Sequence, residues 1–171
     1  GPGPYPLILV AHGNHDMKDF SDPGYEYLGR HLASRGFILA SLDMNFINGG
    51  IRGENDARGW LFLKHLEAWN TFNEDPENPF HGKVDMEKIG IMGHSRGGGA
   101  VGHAVAFNRL THYPDDANVT WEFGFAIGAI VARTAFEDAT LHAELDGLPQ
   151  HIGGVSIYDQ STAPGGKVRF K

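Results

Sequence analysis

Cysteine is absent from all 171 residues, which excludes disulfides, thiol nucleophiles and Cys-ligated zinc or iron–sulfur centres. Long apolar runs are missing too, since none approaches the ~20 residues of a membrane-spanning helix. Basic residues are few, with 14 Lys plus Arg against 21 Asp plus Glu. The net charge is −7, so there is no global basic footprint for nucleic acid or an anionic membrane. Internal repeats and low-complexity linkers are also lacking. No basic segment leads into an apolar stretch of the export-signal kind at the start. Gly1-Pro2 reads as a tag-cleavage remnant, and residues 1–4 are expected to lack order. The compartment stays open, because a cysteine-free chain suits a secreted natural form and an intracellular one alike.

The chain is 41% apolar, and its length suits one globular domain, here residues 5–171. Three short apolar runs read as buried strands: Tyr5 to Ala11, Gly36 to Leu42 and Lys88 to Gly93. Continuous Ile/Leu-rich runs of this length suit strands covered on both faces of a parallel sheet. Phe123 to Ala132 is a fourth run, interrupted by Gly124 and Gly128, and Ile152 to Tyr158 is a weaker fifth. Helical periodicity lies between them. Ser21 to Ser34 has Pro23 near its start and Gly36 past its end. Asn55 to Asn73 carries Trp60, Leu63, Leu66 and Trp69 as one stripe, broadened by Phe62 and Phe72, which reads as core packing. Ser95 to Arg109 is a small-residue helix, and Arg133 to Leu145 a fourth segment of helical pattern. The alternation predicts an α/β fold: a mainly parallel sheet of about five strands with helices on both faces.

In such a sheet, ligands gather at the carboxyl ends of the strands. There the sequence places Gly93-His94-Ser95-Arg96-Gly97, a G-x-S-x-G between an Ile-rich strand and a Gly/Ala-rich helix. The string alone is common in a chain with 24 glycines; its position gives it weight. A sharp strand-to-helix turn would hold the Ser95 hydroxyl above the sheet, beside the N–H groups of a helix start. A phosphate-binding turn is the competing reading, but the Lys of a Walker loop is missing. His12-Gly13-Asn14-His15 follows the first strand and belongs at the same edge. The expected oxyanion donors are the backbone N–H groups of Arg96 and Asn14, with His15 next after Asn14. The spacing of His12, His15, Asp16 and Asp19 matches no metal-ligand pattern, so no metal is expected.

PLILVAHG, GFILASLD and KIGIMGHSRGG together resemble the α/β-hydrolase superfamily. GHSRGG is similar to the elbow of chlorophyllases, dienelactone-hydrolase-like enzymes and polyester-cleaving bacterial esterases. The resemblance spans Tyr5 to Ala132. It implies hydrolysis of small or polymeric carboxylic esters through an acyl-enzyme on Ser95, without a cofactor.

The tail fits that pattern poorly. The family order is serine, acid, histidine, and a serine hydroxyl needs an adjacent base. Only His103, His112, His142 and His151 follow Ser95. Asp159 is the acid best placed at a strand end, and no histidine follows it. Asp138 or Asp146 with His151 has the right order without strand-end context. His151 and Asp159 are therefore the candidate base and acid. The expectation is a truncated or compact serine ester hydrolase, and the alternative a catalytically silent relative acting in binding or assembly. Loss of final strands would expose a sheet edge through which copies could associate.

Overall fold

The structure, a computed structural model, describes residues 2–50, 54–134 and 158–159. Strand β1 (Tyr5–Ala11) leads through a 3₁₀ turn (Asp22–Tyr25) into α1 (Glu26–Ala33) and then β2 (Ile38–Leu42). A second 3₁₀ turn (Asn45–Gly49) precedes α2 (Glu54–Glu74), β3 (Val84–His94) and α3 (Arg96–Phe107). A short hairpin, β4 (His112–Tyr113) and β5 (Asp116–Thr120), precedes β6 (Ile127–Thr134) and β7 (Tyr158–Asp159). The main sheet has the order β2-β1-β3-β6-β7, and every pairing in it is parallel.

Alternation along the strands divides the residues between two faces. Leu7 pairs with Ile89 and Leu9 with Ile91, and all four are buried under α2 and α3. Helix α2 turns Arg58, Phe62, Leu63 and Leu66 inward with Trp60 and Trp69 packed at the margin of the core, as the stripe predicts, but Phe72 in the last turn is exposed. The two helices touch where Gly59 lies against α3: a Cβ there would stand 2.5 Å from the His103 Cβ and 2.8 Å from the Ala104 N. Trp60 packs edge-on against Trp121 and Phe123, extending this layer beneath the hairpin.

Helix α1 lies on the other face, with Gly29 in contact range of the Leu39 side chain. The chain thus returns from β1 to β2 on one face and advances to β3 and β6 on the other, as right-handed crossovers require. Beside α1, an apolar groove of about 580 Å³ runs along the sheet, lined by Ile8, Phe37, Gly90, Met92, Ala129 and Val131.

Several boundaries differ from the sequence reading: α1 starts at Glu26 rather than Ser21, β2 at Ile38 rather than Gly36 and β3 at Val84 rather than Lys88. The fourth strand starts at Ile127 rather than Phe123, because Asn108 at the end of α3 satisfies the intervening backbone. Its Oδ1 accepts from the Gly124 and Phe125 N–H groups, and its Nδ2 donates to the Phe125 carbonyl. That strand continues through Thr134, so Arg133 and Thr134 are extended rather than the start of a helix. The β4–β5 hairpin was not anticipated; every residue of β5 is exposed, which leaves no apolar alternation to reveal it. The remainder of the fourth helical pattern lies outside the described residues, as does most of Ile152 to Tyr158.

Candidate active site

Strand β3 enters a sharp bend at Ser95, whose φ of 56° and ψ of −123° make it the one non-glycine residue with positive φ among those described. A side chain in that region is strained by about 1–3 kcal/mol and persists only where its surroundings dictate it. The Ser95 N–H donates to the Arg133 carbonyl of β6 at 2.6 Å, while its own carbonyl accepts from Gly98 and Gly99 in the first turn of α3. A Cβ on Gly93 would lie 2.0 Å from the Gly97 carbonyl oxygen, and one on Gly97 only 2.4 Å from that of Ala11. Both glycines of the motif are thus required by the close passage of backbone. Ser95 itself is half-buried.

The loop after β1 closes on this bend. A Cβ on Gly13 would stand 2.7 Å from the Ser95 Cβ and 3.3 Å from its Oγ. Asn14, exposed, follows directly, so the structure brings the loop chosen for the second donor to the serine. Arg96 opens α3, where the first two N–H groups, those of Arg96 and Gly97, have no carbonyl partner within the helix and lie at its positive dipole end.

A partner of Arg96, Glu54, and the arginine behind it were not found by sequence reasoning. The Arg96 guanidinium pairs with Glu54 at the start of α2, and the other Glu54 oxygen accepts from Arg58 Nε at 3.0 Å. Arg58 is wholly buried and also donates to Asn48. Burial pushes its guanidinium below the usual arginine value, a trend opposed by the Glu54 hydrogen bond and charge. The i,i+4 spacing of Glu54 and Arg58 was the available signal. Nothing in sequence spacing links either of them to Arg96.

His12, His15 and His103 are engaged elsewhere, and His94, directly before Ser95, is exposed. His12 is buried and its ring meets that of His15, with Nδ1 and Nε2 3.0 Å apart. His103 pairs through Nδ1 with Asp56 Oδ1 at 2.8 Å, across the α2–α3 contact. The other oxygen of Asp56 accepts from the Tyr113 hydroxyl at 2.5 Å, and that bond pushes the phenol up to about 12. Among the described residues no imidazole bonds to Ser95 Oγ, and no three potential metal ligands are gathered. His151 lies outside the described residues, as do Asp138 and Asp146. Asp159 ends β7 and pairs in register with Thr134, one step beyond the pairing of His94 with Arg133. Its backbone is therefore level with Ser95 and two strands away, at the same edge of the sheet.

The arrangement offers a hydroxyl on a rigid bend, a close-packed loop on one side and a helix start on the other. Comparison with known proteins adds to it. Residues 20–117 match a family model described as PETase, PET hydrolase-like. A stretch of 73 residues is 33% identical to a bis(hydroxyethyl) terephthalate hydrolase of Streptomyces coelicolor. That match covers 43% of this chain, and the chain spans 21% of the length of that relative.

Proposed function

The chain belongs to the PET hydrolase-like family of α/β hydrolases, and from that premise we propose that it carries the nucleophile of a serine-dependent ester hydrolase. Ser95 Oγ attacks the carbonyl carbon of a carboxylic ester while a base takes its proton. The backbone N–H groups of Arg96 and Asn14 hydrogen-bond the oxyanion of the tetrahedral intermediate. Collapse breaks the bond to the alcohol oxygen, which leaves with a proton and forms an acyl-enzyme on Ser95. Water then attacks that ester, releases the acid and restores the hydroxyl. The chemistry requires no cofactor. Small esters of aromatic acids and their polymers are the substrate class, in keeping with the name of the Streptomyces relative.

The observation that carries this reading is the strained Ser95 conformation at a strand-to-helix bend that only glycines on either side permit. Such strain suits a hydroxyl held ready for attack. His151 and Asp159 are the candidate base and acid. In sequence they stand in the reverse of the family's acid-then-histidine order.

A second reading rests on the lack of any imidazole bonded to Ser95 Oγ among the described residues: a silent relative that binds an ester or assembles through an edge of the sheet. Turnover of 4-nitrophenyl acetate and of bis(hydroxyethyl) terephthalate, with Ser95→Ala alongside, separates the two. Hydrolysis abolished by the substitution supports the enzyme, and its absence from folded wild-type protein supports the silent relative.

A further inference from the structure

We propose that His12 is a positioning residue of this site: its neutral ring, with the proton on Nδ1, clamps the loop after β1 against Ser95, and a proton added at Nε2 opens the clamp. Its catalytic consequence rests on the reading of Ser95 as nucleophile; the clamp itself does not.

The geometry assigns the protons. The Met44 backbone N–H lies 3.0 Å from His12 Nε2. A backbone N–H only donates, so Nε2 supplies a lone pair and the ring proton sits on Nδ1. From Nδ1 it donates to the Gly13 carbonyl at 2.8 Å. The one lone pair of His15 Nε2 takes the Ser21 hydroxyl at 2.6 Å, which leaves the His15 proton on Nδ1 to donate to the Asp16 carbonyl at 2.7 Å. One tautomer choice for each ring satisfies these four contacts, and the 3.0 Å approach of His12 Nδ1 to His15 Nε2 is at most a shared, second contact of the same proton.

The clamp is well sited. It ties residues 12–16 to Ser21 on one side and to Met44 beyond β2 on the other. The next residue, Gly13, is the one packed on Ser95, and the His12 carbonyl oxygen would lie 2.6 Å from a Cβ on Gly97 in α3. A small displacement of His12 therefore moves the backbone facing the serine hydroxyl.

Protonation would set an Nε2–H against the Met44 N–H inside the protein, where His12 is 2% exposed and Met44 wholly buried. With both groups buried, losing that bond is costly. The groups around the ring also oppose a second positive charge. Burial is the leading cause that holds His12 below the ordinary histidine value, opposed by its bond to Gly13, and His15 of the same loop and Arg58 of α2 act in the same direction as burial. Asp43, after β2, is the weakest influence and opposes them.

The test uses the full chain labelled with ¹⁵N, together with His12→Phe, which keeps a ring without an acceptor, and His12→Gln, which keeps an acceptor. Imidazole ¹H–¹⁵N spectra at pH 7.5 are expected to give the Nδ1–H tautomer for His12 and His15. Amide exchange at Met44 and Asn14, corrected for intrinsic pH dependence, should quicken by about tenfold as His12 gains its proton and in His12→Phe, with His12→Gln close to wild type. In 4-nitrophenyl acetate turnover, His12→Phe should lower kcat with KM little changed, and His12→Gln should recover most of the loss. An Nε2–H tautomer, or unchanged exchange in both the titration and His12→Phe, overturns the clamp. If wild type shows no Ser95-dependent turnover, the nucleophile reading fails while the spectra and exchange rates still decide the clamp.

Discussion

Gly13 and Ser95 are in such close contact that the glycine has no room for a side chain: its Cβ would stand 2.7 Å from the serine Cβ. The loop after β1 and the bend after β3 are thus fixed to one another by shape, before any hydrogen bond is considered.

Gly13→Ala should therefore displace the loop or the serine, with a destabilisation of about 1–3 kcal/mol as for other overpacked sites. Ser95-dependent turnover should fall more than stability does, because a small misplacement at a reacting centre is expensive. Gly24→Ala is the control, since nothing lies within 4 Å of its added Cβ. Urea midpoints and ester hydrolysis for both variants check this.

Glu54 joins the buried Arg58 to Arg96. Glu54→Ala leaves a guanidinium with a wholly buried side chain facing only Asn48 and the Met44 sulfur, and a loss of about 3–5 kcal/mol is expected. Arg96→Ala removes a side chain that is 43% exposed and should change stability by less than about 1 kcal/mol. Chemical denaturation of the two variants gives the ordering, and equal losses would contradict it.

Tyr113 should ionise later than an ordinary tyrosine. Its phenol donates to Asp56 and is pushed up to about 12, above the unfolded value of 10.0. A raised folded-state value means stability is fully present below pH 10 and is lost as pH rises through 12. Absorbance titration at alkaline pH should give one late transition that Tyr113→Phe removes.

The central strands were legible because both faces are apolar: PLILVA and KIGIMG show no polar alternation, with Leu7, Leu9, Ile89 and Ile91 buried on one face and Ile8 and Met92 lining the apolar groove on the other. The bend at Ser95 was legible through Gly93 and Gly97, which the sequence carries only because backbone passes where their side chains would be. The start of β6 was not. There the deciding group is Asn108, a side chain 16 and 17 residues before the backbone it satisfies. The Glu54–Arg96 pair and the contact between Asp56 and Tyr113 were hidden for the same reason, since they span 42 and 57 residues and leave no periodic trace. The β4–β5 hairpin left no signal because its strands are too short and exposed to alternate.

The most direct test of Ser95 as nucleophile is the intact mass of the folded protein after exposure to a fluorophosphonate. One covalent adduct on wild type, mapped to the peptide containing Ser95 and absent from Ser95→Ala, is the expected result. An unmodified wild-type protein, or an adduct that persists in Ser95→Ala, contradicts it.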